Sequence, residues 1–206
     1  MKKLILALAV AGAFAAGCAS MMKENDDRSA QALAMMKTSF KEMGQAKLDR
    51  LDQDEVQRLC SQYTVEKPAP KEVAERIEKA QLALIKYPEG GLMGDWKLGE
   101  RIAQTGVGMQ YSDDPKAPTG GNCYGCHQLA KEEVSYGTIG PPLYRFGKLR
   151  GFTPEMQRYA YGKVYNSKAF SACSNMPRFG HKGILTEKQI KDVVALLMDP
   201  ESPVNK

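Results

Sequence analysis

Cys123-Tyr124-Gly125-Cys126-His127 is the stretch on which the reading of this chain turns. Two cysteines separated by two residues, followed directly by histidine, form the attachment signature of a c-type haem. Each cysteine sulfur adds to one haem vinyl group as a thioether. The two-residue spacer brings both sulfurs to one edge of the ring, and the adjacent histidine falls below the iron. The expectation is one covalently attached haem c on Cys123 and Cys126, with His127 as an iron ligand. Three rival chemistries use part of the pattern. A zinc site needs four tetrahedral ligands; Cys60, Cys173 and His181 would have to complete it, and they form no second paired knuckle. A thioredoxin-like redox pair expects a βαβ setting, and no strand pattern of any length is present. A plain disulfide followed by a chance histidine leaves the intact pentapeptide unexplained.

Haem iron in an electron carrier takes a second axial ligand. Met176 stands in Asn175-Met176-Pro177-Arg178-Phe179-Gly180, a loop between two helical patterns. Class I c-type cytochromes place their ligand methionine in such a loop, often before proline, so Met176 is the expected ligand. His181, the only other histidine, is the alternative. Met109, Met156 and Met198 suit core or surface roles better. A soft thioether favours Fe(II) and raises the potential relative to more basic ligands. Two axial ligands also suit the iron to single-electron transfer rather than bond chemistry.

The flanking segments read as all-α. Asp95 is placed to cap a helix running to Gln104, Thr153-Pro154 opens another, and Thr186 opens a last one that stops before Pro200. Further upstream, apolar residues recur at helical spacing through Leu33, Met36, Phe40 and Met43, and again through Leu48, Leu51, Val56 and Leu59. This predicts helix from about 29 to 63, with the methionines as core or interface fillers. Pro68 and Pro70 break it; a helix over about 71–86 follows, and Pro88-Glu89-Gly90-Gly91 reads as a turn. The predicted organisation is an export signal over 1–18, a helical hairpin extension over 19–91 and a haem-binding domain over 92–206.

The start of the chain supports export. Lys2 and Lys3 precede an apolar run from Leu4 to Ala16 that is too short to span a bilayer. Ala15-Ala16-Gly17-Cys18 is similar to a bacterial lipobox, with Ala15 where leucine is usual. Lipidation of Cys18 and ordinary cleavage nearby both remain open; either way the expected compartment is the periplasm, with a membrane anchor only if Cys18 is lipidated. Of five cysteines, Cys60 and Cys173 then remain as an even pair in an oxidising compartment. A disulfide is the simplest reading, and closing so long a loop contributes about 4–5 kcal/mol in the chain-entropy model. The alternative is two unpaired buried thiols. With 29 Lys and Arg against 24 Asp and Glu, and no basic block, nucleic acid is not an expected partner. Lys148, Arg150, Lys163, Lys168 and Lys182 are candidates for a basic rim that steers a redox partner, or for simple solvated charges.

A more specific resemblance rests on Gly121 to His127, on Gly137-Thr-Ile-Gly-Pro-Pro-Leu143, on Met176-Pro-Arg-Phe-Gly180 followed by Leu185-Thr-Glu-Lys-Gln-Ile-Lys-Asp-Val-Val194, and on the closing Asp199-Pro-Glu-Ser-Pro-Val204. Over roughly residues 94–203 the chain resembles the SoxX family, the small mono-haem cytochrome subunit of the SoxAX complex of bacterial sulfur oxidation. The resemblance implies a class I cytochrome c-like domain whose Cys123 and Cys126 carry the haem and whose His127 and Met176 ligate it. Gly140-Pro141 resembles the Gly-Pro of class I cytochromes, which implies that the Pro141 carbonyl accepts from His127 Nδ1–H. It further implies a heterodimer with a di- or mono-haem SoxA subunit. In that family's reaction, thiosulfate is joined oxidatively to a cysteine of the SoxYZ carrier at the SoxA haem, and SoxX passes the electrons to a soluble cytochrome c. No catalysis is expected of the chain alone. A free-standing periplasmic cytochrome of another pathway is the alternative. The N-terminal extension departs from the shortest members of that family.

Overall fold

Between Gly44 and Asp54 the α-helical backbone is interrupted, and this sets the plan of the N-terminal part. The computed structural model describes residues 28–64 and 66–206; the expected export signal and Cys18 lie outside them. The chain divides into two compact units, one through Asp52 and one from Gln53 to Lys206. In the first, helix α1 covers residues 28–39. The chain then reverses through the bridge between Met43 and Ala46, whose amides and carbonyls pair at 2.8 and 3.1 Å, with Gly44 at φ +50°. A 3-10 turn over Leu48–Leu51 follows. The continuous helix expected over 29–63 therefore does not form. The left-handed residue in the reversal, which glycine adopts without steric penalty, and the extended residues Asp52 and Asp54 interrupt a stripe whose spacing is helical on either side. Met36 and Met43, expected as core or interface fillers, are 38% and 53% exposed, and Phe40 between them is 58% exposed, so this stripe does not form a core.

In the second unit, α2 (Glu55–Cys60) starts at a capping box. Gln57 N–H donates to Asp54 Oδ1 at 2.9 Å, and Asp54 N–H donates to the Gln57 side-chain oxygen at 3.0 Å. Helix α3 (Lys71–Leu82) begins behind Pro70. It ends four residues short of expectation, because the bonds beyond it tighten to i→i+3 spacing at Leu84 and Ile85. The remaining helices are α4 (Trp96–Gln104), α5 (Phe146–Arg150), α6 (Pro154–Tyr165) and α7 (Glu187–Met198). Asp95, Thr153 and Thr186 cap α4, α6 and α7 with their side chains, as the sequence predicts. Helix α5 was not anticipated.

Helix α7 is the centre of this unit. Ile190 and the run Asp192 to Met198 are all buried, so the last two turns are covered on every side, while Glu187 and Lys188 in the first turn stay exposed. Its tightest neighbour is α4. A Cβ on Gly99 would lie 2.1 Å from the Asp192 carbonyl oxygen, so only glycine allows the two backbones to approach so closely. The same residue ties the entry to α4: Asp95 N–H donates to the buried Asp192 carboxylate at 2.9 Å, and Gly94 N–H donates to the Lys191 carbonyl at 3.0 Å. Helix α6 packs on α7 through Ala160, Tyr161 and Val164, which with Leu129, Phe146, Phe179 and Val204 complete the main core. A second, smaller core joins Val56 and Ile77 to Ala172. There Cys60 and Cys173 are disulfide-bonded across a sequence separation of 113 residues. No described helix is long and apolar enough to cross a membrane, and no strand occurs among the described residues.

Candidate functional site

The five residues of the motif form one tight turn. Cys123–Gly125 is a 3-10 turn entered from Asn122 in the left-handed region. Cys126 N–H and His127 N–H both donate to the Cys123 carbonyl, at 3.1 and 2.9 Å. This sets two half-buried cysteines and the histidine on a single short turn. Both sulfurs are free thiols. Burial pushes the Cys123 thiol up to about 12, and the neighbouring Cys126 pushes it further in that direction.

The segment 137–143 is laced onto this turn. Gly137 N–H donates to the Tyr124 carbonyl at 3.0 Å, Gly140 N–H to the Cys126 carbonyl at 2.8 Å, and Leu143 N–H to the Gln128 carbonyl at 2.7 Å. The consequence is that Pro141 carbonyl oxygen sits 2.7 Å from His127 Nδ1. Nδ1 carries the proton for that bond, which leaves Nε2 as the nitrogen with a lone pair for a metal. A Cβ on Gly140 would lie 2.2 Å from the ring's Cε1 and 2.5 Å from Nδ1, so the glycine backbone forms one wall of the imidazole's seat.

Met176 borders the same main core as Cys123, Tyr124 and Leu143 and is half-buried. Its backbone is fixed at both ends: Ser167 hydroxyl donates to the Met176 carbonyl at 2.6 Å, and Met176 N–H donates to Ser174 Oγ at 3.1 Å. His181, the alternative ligand, is held by backbone hydrogen bonding to the Tyr165 carbonyl. Burial, with Arg178 and Lys182 nearby, lowers its pKa and keeps it neutral at pH 7.

These residues pass the chemical test for haem c. The sulfurs are free and share a turn with the histidine, whose outer nitrogen is already engaged by a carbonyl. The five candidates for a basic rim differ in their surroundings. Lys168 is buried, Lys163 is half-buried with its ammonium over the Phe170 ring, and Lys182 pairs with Asp54; Lys148 and Arg150 stay exposed. Sequence reasoning named Gly140 and Arg178 only as members of motifs and gave no role to Ser167 or Asp54. The signal for Arg178 was its place two residues after Met176; nothing local marked Asp54.

The family model for cytochrome c matches residues 111–199, from the loop before the motif to the end of α7. A protein of Aquifex aeolicus (strain VF5), described as an uncharacterized lipoprotein, is 40% identical over 156 residues, which cover 75% of this chain and 73% of that protein. Residues 111–199 are a cytochrome c domain. The chain's helical second unit, without strands among the described residues, is the all-α class I fold of that family, preceded by helical segments. This cytochrome is thus an electron-transfer haem protein, with the attachment turn at Cys123 to His127 lying inside the matched region.

Proposed function

We propose that this cytochrome carries a single haem c on Cys123 and Cys126, ligated by His127 Nε2 and Met176, and serves as the small electron-transfer subunit of a SoxAX-like thiosulfate-oxidising complex. The observation that carries the haem reading is the contact between His127 Nδ1 and the Pro141 carbonyl, which orients the imidazole and raises its basicity. Bound haem supplies a one-electron Fe(III)/Fe(II) couple. The chain's contribution is attachment through two sulfurs, a fixed imidazole, and a thioether presented from a loop that Ser167 and Ser174 hold in place. Met176→Ala is expected to abolish the far-red methionine-to-iron band and lower the potential, whereas His181→Ala keeps both; the reverse would move the ligand to His181.

The subunit role is supported by the resemblance in Gly137 to Leu143, Met176 to Gly180 and Leu185 to Val194. In that role the cytochrome receives electrons from a partner haem subunit as thiosulfate is joined to a carrier-protein cysteine, and passes them to a soluble cytochrome. Affinity purification of the exported protein from its native host tests this. Recovery of a haem-containing, thiosulfate-active heterodimer is expected; a monomer that exchanges electrons without a partner would favour a free-standing carrier. Residence in the periplasm, anchored through a lipidated Cys18, is supported by the Ala15-Ala16-Gly17-Cys18 sequence and by the lipoprotein description of the Aquifex relative. Intact mass of the mature protein reads this directly.

A further inference from the structure

We infer that α2 and α3 are a brace on the Met176 loop, with Asp54 and the Cys60–Cys173 disulfide as positioning residues for the methionine sulfur. The inference rests on the assignment of Met176 as the axial ligand. The loop has little order of its own. Among the described residues, the single backbone–backbone hydrogen bond with both ends inside 171–178 is Ser174 N–H to the Ser171 carbonyl, at 3.0 Å. Its other attachments run mostly to the N-terminal segment, and they fall on both sides of Met176.

Three residues before Met176, Cys173 is bonded to Cys60 at the end of α2. One residue before that cysteine, Ala172 N–H donates to the Glu78 carboxylate of α3 at 3.0 Å. Two residues after Met176, the buried guanidinium of Arg178 is ion-paired to Asp54, the cap of α2, and donates to Gln81 of α3 at 3.3 Å. Lys182 adds a second bond to Asp54 at 3.0 Å. Gln81 also receives Asn166 Nδ2–H at its side-chain and backbone oxygens, at 3.1 and 3.2 Å. Asn166 is followed by Ser167, whose hydroxyl holds the Met176 carbonyl. A thioether is a weak, neutral ligand for Fe(III), so the loop's intrinsic tendency to open sets how readily another ligand replaces it. A covalent bond on one side and a buried ion pair on the other suppress that opening.

The experiment uses the full-length haem-loaded protein. A dithiol reduces the disulfide, giving two cysteine thiols and the oxidised dithiol; the thiols are blocked with iodoacetamide and the iron is reoxidised. Imidazole affinity, the methionine-to-iron band and hydrogen exchange at 171–178 are measured before and after, and in Asp54→Asn. Val204→Ala, in the core away from the brace, serves as a control of lowered stability. Reduction and Asp54→Asn are each expected to tighten imidazole binding at least tenfold and to speed exchange at 171–178, while Val204→Ala lowers Tm without either change. If Met176→Ala loses the band but imidazole affinity is indifferent to reduction and to Asp54→Asn, the brace is overturned and the ligand assignment stands. Imidazole affinities that simply follow Tm across all variants, the control included, also overturn it. If Met176→Ala retains the band, the ligand assignment falls and takes the brace with it.

Discussion

His127 Nδ1 and the Pro141 carbonyl oxygen stand 2.7 Å apart, and Gly140 makes that contact possible because no side chain separates its backbone from the imidazole. A Cβ there would meet three ring atoms at 2.2–2.7 Å. Gly140→Ala must therefore displace the ring or the loop. Loss of the carbonyl contact makes His127 a weaker base, which disfavours Fe(III), so the potential is expected to rise. Tm is expected to fall by an amount equivalent to about 1–3 kcal/mol of overpacking. Spectroelectrochemical titration alongside thermal unfolding checks both; an unchanged potential would remove the Pro141 contact from the account.

Gly99→Ala probes the fold rather than the site. The new methyl would lie 2.1 Å from the Asp192 carbonyl oxygen, a backbone atom that cannot rotate away. Helices α4 and α7 must separate, at a cost of about 3 kcal/mol, or a Tm lowered by roughly 6–12 °C for a chain of this size. Differential scanning calorimetry of the haem-loaded protein reads it. The haem spectrum is expected to stay the same, since α4 supplies no ligand.

The caps at Asp95, Thr153 and Thr186 and the attachment turn at 123–127 were legible because each is local: residue types at fixed short spacing determine them. The run 29–63 was misread because periodicity records which side chains could share a face, not whether the backbone continues. There Gly44 and the extended Asp52 and Asp54 interrupt the helix, and the methionine stripe is exposed. The pairing of Cys60 with Cys173 followed from counting cysteines. The pairing of Asp54 with Arg178, 124 residues apart, had no signal in one sequence, because nothing in the spacing of two opposite charges specifies contact.

That ion pair predicts an acid response. Burial opposes ionisation of Asp54, but the Gln57 amide, Arg178 and Lys182 outweigh it and hold the carboxyl well below the ordinary carboxylate range. A carboxylate depressed in the folded state contributes stability above its unfolded pKa of about 3.9, and that contribution is lost as pH falls below it toward the folded value. Lys168 and His181 are the other titratable groups in electrostatic reach of Asp54. Asp54→Asn leaves the buried Arg178 without its counter-charge and is expected to cost about 3 kcal/mol at pH 7. Below pH 4 the gap between wild type and variant should narrow. A gap that does not change between pH 7 and pH 3 would contradict the ion pair's role.

Lys168 is a place where burying a charge costs stability without a direct hydrogen bond or ion pair. Its side chain is buried, forms no hydrogen bond or ion pair among the described residues, and its pKa is lowered by burial first and by Arg178 second. Lys168→Met keeps the stem's packing and removes the desolvated charge. A gain of about 1 kcal/mol is expected in urea unfolding, with no change in the m-value. A loss of stability would mean that the ammonium has a stabilising partner in solution.

The roles of His127, Pro141 and Met176 all depend on covalent haem on the turn from Cys123 to His127. Intact mass and visible spectrum of the exported protein, beside a Cys123→Ala/Cys126→Ala variant, test it most directly. The wild type is expected to carry the mass of one haem that survives denaturation and acid–acetone extraction, and the variant none. Colourless wild-type protein with the mass of the bare polypeptide would contradict the account.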